Sequence, residues 1–363
     1  MKKVIIPLIL FASLAGLASC GVDPATIDTD FDGLNDTIDP DPNDPNYQFF
    51  YKQEEETITK EDSFTMDYRK FFDEDIYTTY KPELAKLGAL LMLEGYNANL
   101  VIKKNVYSQE SSKVSPLLTQ IGCEDIKLVD LANKTYTTDQ NDAENFRIGH
   151  RVYTCGNKKY NITFIEMLNY TKLTGWASDV DVGADTEGYK DFSGEHPDWA
   201  NKSAHKGFEV CANRIYISLQ EYLTANKVEG AEDFVFAAGH SRGGALVSLL
   251  GKKLKDNNIK SLIYSFNSTT QVCEMSKTQA ASYDNIWQLI NNDDLISKIP
   301  LTSWNSFTQL GHLRTYSMGE HATKYKEYFL NKEYPELNHE LSDLILSSLY
   351  EIVGSREALY EFR

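Results

Sequence analysis

The chain has 363 residues, 42% of them apolar, enough for one large core or two of medium size, and this composition excludes a protein that spans a membrane throughout. The formal net charge is −17 and no cluster of Lys and Arg occurs. Nucleic acid is therefore excluded as a partner, since phosphate contacts need such clusters. Most of the acidic excess falls between Gly21 and Asp75, so it is a local property.

In chain order, Lys2 and Lys3 precede an apolar run from Val4 to Leu17. The run is short for a bilayer span and suits the core of a signal peptide. It ends in Leu17-Ala18-Ser19-Cys20, which resembles the bacterial lipobox. That resemblance implies a signal peptide over 1–19, lipidation of Cys20 and an exported, lipid-anchored protein of the cell envelope. An ordinary signal peptide cleaved near Ser19 is the other reading. The stretch Gly21–Asn46 is acidic and rich in Pro and Asn, with too few apolar residues to fold alone, so 20–60 is expected to be an exposed tether. Inside it, Asp28, Asp30, Asp32, Asp36 and Asp39 stand at loop positions 1, 3, 5, 9 and 12, with Gly33 at position 6. The pattern resembles the calcium loops of thrombospondin type 3 repeats and EF-hands, because Ca²⁺ wants several hard oxygens on a sharply turning chain. Asp39 departs from the usual Glu. A solvated acidic linker is the alternative.

From 61 to 363 the chain reads as one globular domain. Glu83–Tyr96 carries Leu84, Leu87, Leu90 and Leu91 at helical spacing. Strands are expected at Lys127–Leu131, Phe146–Thr154, Asn161–Leu168, Phe234–Ala238, Leu262–Phe266 and Ile286–Ile290, and helices at Val210–Tyr222, Ala245–Leu254 and Leu341–Ile352. Alternation of this kind predicts an α/β fold with a mostly parallel sheet. Cys123, Cys155, Cys211 and Cys273 permit two disulfides in an exported protein, or four buried thiols. No C-x-x-C pair suggests zinc.

The strongest motif is Phe234-Val-Phe-Ala-Ala-Gly239-His240-Ser241-Arg242-Gly243-Gly244-Ala245. A buried strand enters a tight turn and leaves as a helix, which is the context a nucleophile elbow requires. Small residues two before and two after Ser241 let the turn close, and Gly239 and Gly243 meet this. The helix N-terminus and the backbone N–H of Arg242 face the charge that develops in the transition state. The alternative is a Ser that merely caps the helix. His240 is too close along the chain to act as base and is expected beneath the elbow.

A serine nucleophile needs a base oriented by an acid, and α/β-hydrolases bring them in the order Ser, Asp, His. Asp293 and Asp294 follow the strand expected at Ile286–Ile290, and His312, His321 and His339 lie downstream. Here four features resemble the fungal-type (class 3) lipase family. Gly175-Trp176-Ala-Ser-Asp179 is similar to its W-x-x-D, and Ala204-His205-Lys206-Gly207-Phe208 to its V-H-x-G-F. The elbow follows at the family's distance, and Asp294-Leu-Ile-Ser-Lys-Ile-Pro300 is similar to its D-x-V-P-x-L-P. The resemblance covers roughly 161–329. It implies an α/β-hydrolase fold and a carboxylic ester hydrolase of the triacylglycerol lipase type. Ser241, Asp294 and His321 would form the triad, with no cofactor for catalysis and a lipid or ester substrate. His321 is chosen because Gly319-Glu-His321 opens an aromatic-rich stretch like the family's catalytic histidine, whereas Leu310-Gly-His312 fits the non-catalytic one; His312 and His339 stand behind it.

The family's F-R-G-T-like run before W-x-x-D is replaced by Leu168-Asn169-Tyr170-Thr171. Thr171 remains as the second oxyanion donor, but the glycine and arginine are gone. Losing one such donor costs about two to three powers of ten in rate, so a catalytically silent binding lipoprotein on the same fold is the rival reading. The segment 182–200, with Tyr189, Phe192, Gly194 and Trp199, is read either as a lid or as a surface insertion.

Overall fold

Apolar residues that alternate along short runs are drawn into one central sheet in the computed structural model, which describes residues 27–39, 41–52, 59–96, 101–103, 115–131, 145–168, 189–191, 194–196, 204–291, 296–298, 307–316 and 360–361. The chain begins with strands β1 (Asn46–Lys52) and β2 (Thr59–Thr65), helix α1 (Pro82–Tyr96), strand β3 (Val101–Lys103) and the short helix α2 (Pro116–Gln120). Strands β4 (Glu124–Val129), β5 (Phe146–Cys155) and β6 (Lys158–Met167) follow, then the hairpin β7 (Tyr189–Asp191) and β8 (Gly194–His196). Next come helix α3 (Lys206–Ala225), strand β9 (Glu232–His240), helix α4 (Arg242–Asp256), strand β10 (Lys260–Phe266) and helix α5 (Lys277–Ala281). Strands β11 (Ile286–Asn291), β12 (His312–Tyr316) and β13 (Tyr360–Glu361) complete the described elements.

The eight-stranded sheet has the order β13-β12-β11-β10-β9-β6-β5-β4. From β6 to β12 all neighbours are parallel; β4, β5 and β13 add antiparallel edges. Parallel strands need long crossovers, and α3 and α4 supply them on either side of β9. Both faces are consequently covered, so the inner strands are buried along most of their length and largely apolar, with buried polar members such as Thr163, Ser265 and Gln288. Phe164, Phe236 and Tyr264 face α1, with its buried Leu84, Leu87 and Leu91. Ile165, Val235 and Ile263 face α3 and α4, whose Ile215, Leu219, Val247 and Leu250 are fully buried. Among the described residues no helix is long and apolar enough to cross a membrane.

The expected elements that fall on described residues are present, with polar extensions that an apolar pattern underestimates. Strand β6 starts at Lys158 because Gly156 and Asn157 form a two-residue turn that closes a hairpin on β5, with Gly156 at φ +58. The helix expected at 341–352 lies outside the described residues. The antiparallel sheet β2-β1-β3 had no periodic signal.

The acidic stretch differs from an exposed tether where it is described. Asp32 is fully buried and its carboxylate accepts from the Tyr47 hydroxyl at 2.9 Å. Arg151 donates to the carbonyl of Gly33 at 2.8 Å and to that of Gly122 at 2.9 Å. Phe31 lies edge-on to Tyr68, which stacks on Tyr153 at 4.6 Å. The docking residues are aromatic and cationic groups of the body, which the loop's own composition does not reveal.

Candidate active site

Strand β9 ends at His240 and α4 starts at Arg242, so Ser241 alone makes the bend. Its backbone has φ 53 and ψ −122, a region that L-residues seldom occupy and that stores strain at functional sites. Its N–H donates to the carbonyl of Phe266 at 2.9 Å, and its carbonyl accepts from Ala245 N–H at 3.1 Å. The side chain makes no capping hydrogen bond, which disposes of the reading of Ser241 as a helix cap. Arg242 sits in the first helical turn, whose N–H groups point out along the axis toward the bend. His240 is 3% exposed, beneath the bend as expected.

Close packing, more than the motif, shows which glycines the bend needs. A Cβ on Gly239 would stand 2.4 Å from the carbonyl oxygen of Gly243. One on Gly244 would meet Ser265 Oγ and Ser268 Cβ, both at 2.8 Å. Gly243 itself has room, its nearest neighbour being Met167 Cβ at 3.5 Å. The expectation that Gly243 must be small on its own account is thus corrected: its carbonyl is the obstacle, and Gly239 and Gly244 are the crowded positions.

The parallel sheet brings the end of β11 to the same side as Ser241. Beside the bend, Asn267 (φ 45) donates its N–H to Leu289, and its side-chain oxygen accepts from Asn291 N–H at 2.8 Å and from Tyr316 Oη at 3.0 Å. Asn291 ends β11 three residues before Asp294. Asp293, Asp294, His321, His339, Thr171, Tyr170 and the Trp176 motif lie outside the described residues, as does Cys20. His312 is described, at the start of β12, three strands across the sheet from β9. Register places it in one row with Trp287, Tyr264 and Ala238. Three strands and three residues then separate it from Ser241, about 17 Å at ordinary strand spacing and rise. Its Nε2 is 2.8 Å from the Tyr77 carbonyl and its ring stacks on Trp287 at 4.3 Å, so His312 is a structural residue. His205 is the N-cap residue of α3, fully buried, stacked on Phe208 at 4.0 Å, with its N–H donated to Gln271.

Sequence reasoning missed Asn267 and a buried acidic cluster at the top of β6. Asn267 had one local signal, an Asn directly after an apolar strand, where a left-handed backbone is tolerated. In the cluster, Glu94 near the end of α1 accepts from Ser115 Oγ at 2.7 Å and from Leu117 N–H. Glu166 on β6 accepts from Arg147 at 2.8 Å. Burial pushes the Glu94 carboxyl up to about 7, and burial together with the neighbouring Glu94 pushes Glu166 well above the carboxylate range. Two buried carboxyls share one guanidinium, so the pair retains a proton near neutrality.

In the acidic loop, one oxygen each from Asp28, Asp30 and Asp32 come within 4.8 Å of one another, and Gly33 makes the sharp turn at φ +101. Burial, then the charge of Asp32, raises the Asp28 carboxyl to about 7. Asp36 accepts from Thr29 N–H and Oγ1 instead, and Asp39 from Asp41 N–H. Three of the five acids therefore converge, a hard-oxygen set of the kind Ca²⁺ takes. Cys123, Cys155, Cys211 and Cys273 are free thiols, so of the two readings the disulfides fall. Of the segment read as a lid, only the hairpin β7–β8 is described.

A mostly parallel sheet with a strand–serine–helix bend on its central strand defines an α/β-hydrolase fold. The model of the class 3 lipase family, described as Lipase (class 3), matches residues 171–304, which is less than half of the chain. Among solved structures, a triacylglycerol lipase from Penicillium expansum is 16% identical, with 54% of this chain and 71% of that one covered at a TM-score of 0.36. A mono- and diacylglycerol lipase from Aspergillus oryzae is 13% identical, with 66% and 80% covered and a TM-score of 0.38. A lipase from Rhizopus microsporus var. chinensis is 16% identical, with 64% and 73% covered and a TM-score of 0.36. No curated protein matches the sequence.

Proposed function

We propose that this chain is a serine hydrolase that cleaves carboxylic esters of lipids, acylglycerols or phospholipids, at Ser241. The observation that carries the reading is the Ser241 backbone, strained at φ 53 on the bend between β9 and α4, with a side chain not spent on capping. The class 3 lipase match over 171–304 supports lipid esters as the substrate class. In this reading the Ser241 hydroxyl oxygen attacks the ester carbonyl while the imidazole of His321 accepts its proton. Asp294 holds the imidazole tautomer. The N–H groups of Arg242 and Thr171 take up the negative charge on the carbonyl oxygen. The imidazolium returns the proton to the leaving alkoxide, and water then releases the acyl group from Ser241 by the same steps in turn. No metal enters this chemistry. Two further assignments belong to the proposal: an N-terminal lipid anchor on Cys20 that places the protein in a bacterial envelope, and Ca²⁺ held by Asp28, Asp30 and Asp32, with Asp36 and Asp39 completing the loop.

A fluorophosphonate probe tests the nucleophile. The wild-type chain should be labelled at Ser241 and turn over p-nitrophenyl esters; Ser241→Ala should lose the label and at least about four powers of ten in kcat. Turnover that survives in Ser241→Ala defeats the hydrolase reading. The replacement of the family's Gly and Arg by Tyr170 and Asn169 favours the second reading, a silent lipid-binding protein. Absence of labelling, with ligand binding unchanged in Ser241→Ala, would select it.

A further inference from the structure

A directed chain of buried hydrogen bonds joins the nucleophile helix to the segment that follows Asp294. Leu310 N–H donates to Gln271 Oε1 at 3.1 Å, and Gln271 Nε2 donates to Ser268 Oγ at 2.9 Å. Ser268 Oγ donates to Gln288 Oε1 at 2.8 Å, Gln288 Nε2 to Ser248 Oγ at 2.9 Å, and Ser248 Oγ to the Gly244 carbonyl at 2.7 Å. Ser248, Ser268, Gln271 and Gln288 are all fully buried. The direction is fixed at its ends. The Gly244 carbonyl claims the only Ser248 proton, and an N–H faces Gln271 Oε1, so no amide in the series can be turned round. Polar groups this deep are costly unless satisfied, and once satisfied they specify one arrangement of the elements they join.

Gln309 extends the chain to the acid segment. Its Nε2 donates to the Ser268 carbonyl and to the Ser297 carbonyl, both at 3.1 Å. Both neighbours are acceptors, so a turned amide would oppose oxygen to oxygen. Ser297 is 2% exposed in the 3-10 turn Ile296–Lys298, three residues after Asp294. Ser268 is also the residue on which the first turn of α4 rests, since it blocks any side chain at Gly244. We infer that Gln309 is a positioning residue that fixes the acid segment relative to the nucleophile helix, with Ser268 as the hub. The inference rests on the hydrolase reading above and deepens it.

Gln309→Met fills the same space without a donor. With p-nitrophenyl butyrate, kcat should fall about ten- to a hundredfold while KM stays within about twofold, because substrate contacts are untouched and the acid is held less well. The pH profile of fluorophosphonate labelling at Ser241 should also move: the apparent pKa of the base falls when its carboxylate partner stabilises the imidazolium less. A merely structural role lowers Tm but leaves kcat and the labelling profile unchanged, and that result overturns the inference. Gln309→Asn keeps the amide but falls one carbon short of Ser297, and should lose kcat in the same direction; it answers the question if Gln309→Met does not fold. Labelled wild type with unchanged Gln309 variants sinks the positioning role alone. Wild type that takes no label at Ser241 sinks the hydrolase reading and this inference with it.

Discussion

Holding Ser241 at φ 53 costs an L-residue of order 1–3 kcal/mol, so the surroundings must over-determine the bend. They do so by contact of backbone with backbone. Gly239→Ala would push a methyl group against the Gly243 carbonyl. It should lower stability by about 1–3 kcal/mol and reduce Ser241 labelling. Gly243→Ala meets only ordinary contact, in a helix, and its thermal midpoint should match wild type or rise, a gain of at most about 1 kcal/mol. His312→Ala loses a ring stack and a hydrogen bond far from the bend. Its Tm should drop while Ser241 labelling stays within about twofold of wild type, since a base must lie within hydrogen-bond reach of its proton. Part of this was legible in the sequence: the strand–turn–helix context marks Ser241, and the resemblance of Leu310-Gly-His312 to the family's non-catalytic histidine set His312 aside. The demand on Gly244 was not, because it comes from Ser268, a neighbour in space only. Asn267 was missed for the same reason: its partners Asn291 and Tyr316 come from two other strands.

At the scale of elements, the join between α1 and β6 carries the pH dependence. Glu94 and Glu166 have folded pKa values raised above those of the unfolded chain, so the folded state binds more protons. The stability linked to them is fully present below the unfolded carboxyl pKa, near 4.5, and is lost as pH rises through about 7 for Glu94 and higher for Glu166. Glu94→Gln keeps a hydrogen-bonding group in place and removes that loss. Melting curves should show it more stable than wild type at pH 8, by about 1 kcal/mol or more, with little difference at pH 5. A loss of Tm equal at both pH values would count against the shared proton. The last turn of α1 also places the Glu94 charge at the unfavourable end of a helix dipole. Elements with a long apolar run were legible: β9, β10 and β11 each carry one because both faces of the sheet are covered. The small sheet β2-β1-β3 was not, since its pairs, such as buried Tyr47 with Phe64, join residues far apart in a sequence that carries no regular apolar alternation.

For the molecule as a whole, the acidic loop is part of the body where it is described. A cation bound by Asp28, Asp30 and Asp32 would bind the folded chain alone and raise its stability by mass action, about 2.7 kcal/mol at a hundred times Kd. Millimolar Ca²⁺ should raise Tm and EGTA should reverse it. The response should vanish in Asp28→Asn/Asp30→Asn; no shift on adding Ca²⁺ would remove the assignment. The loop's docking also sets how the molecule would stand on a membrane. It grips the far half of β5, through Arg151 and Tyr153, and Tyr153 pairs across the sheet with Tyr160, which pairs with Glu232 at the start of β9. Ser241 lies past the other end of β9, about 30 Å away at ordinary strand rise. If Cys20 carries the anchor, only seven residues remain before the docked loop, a leash of at most about 25 Å. Ser241 would then stand at the end of the sheet away from the leash, about as far from its root as the leash is long.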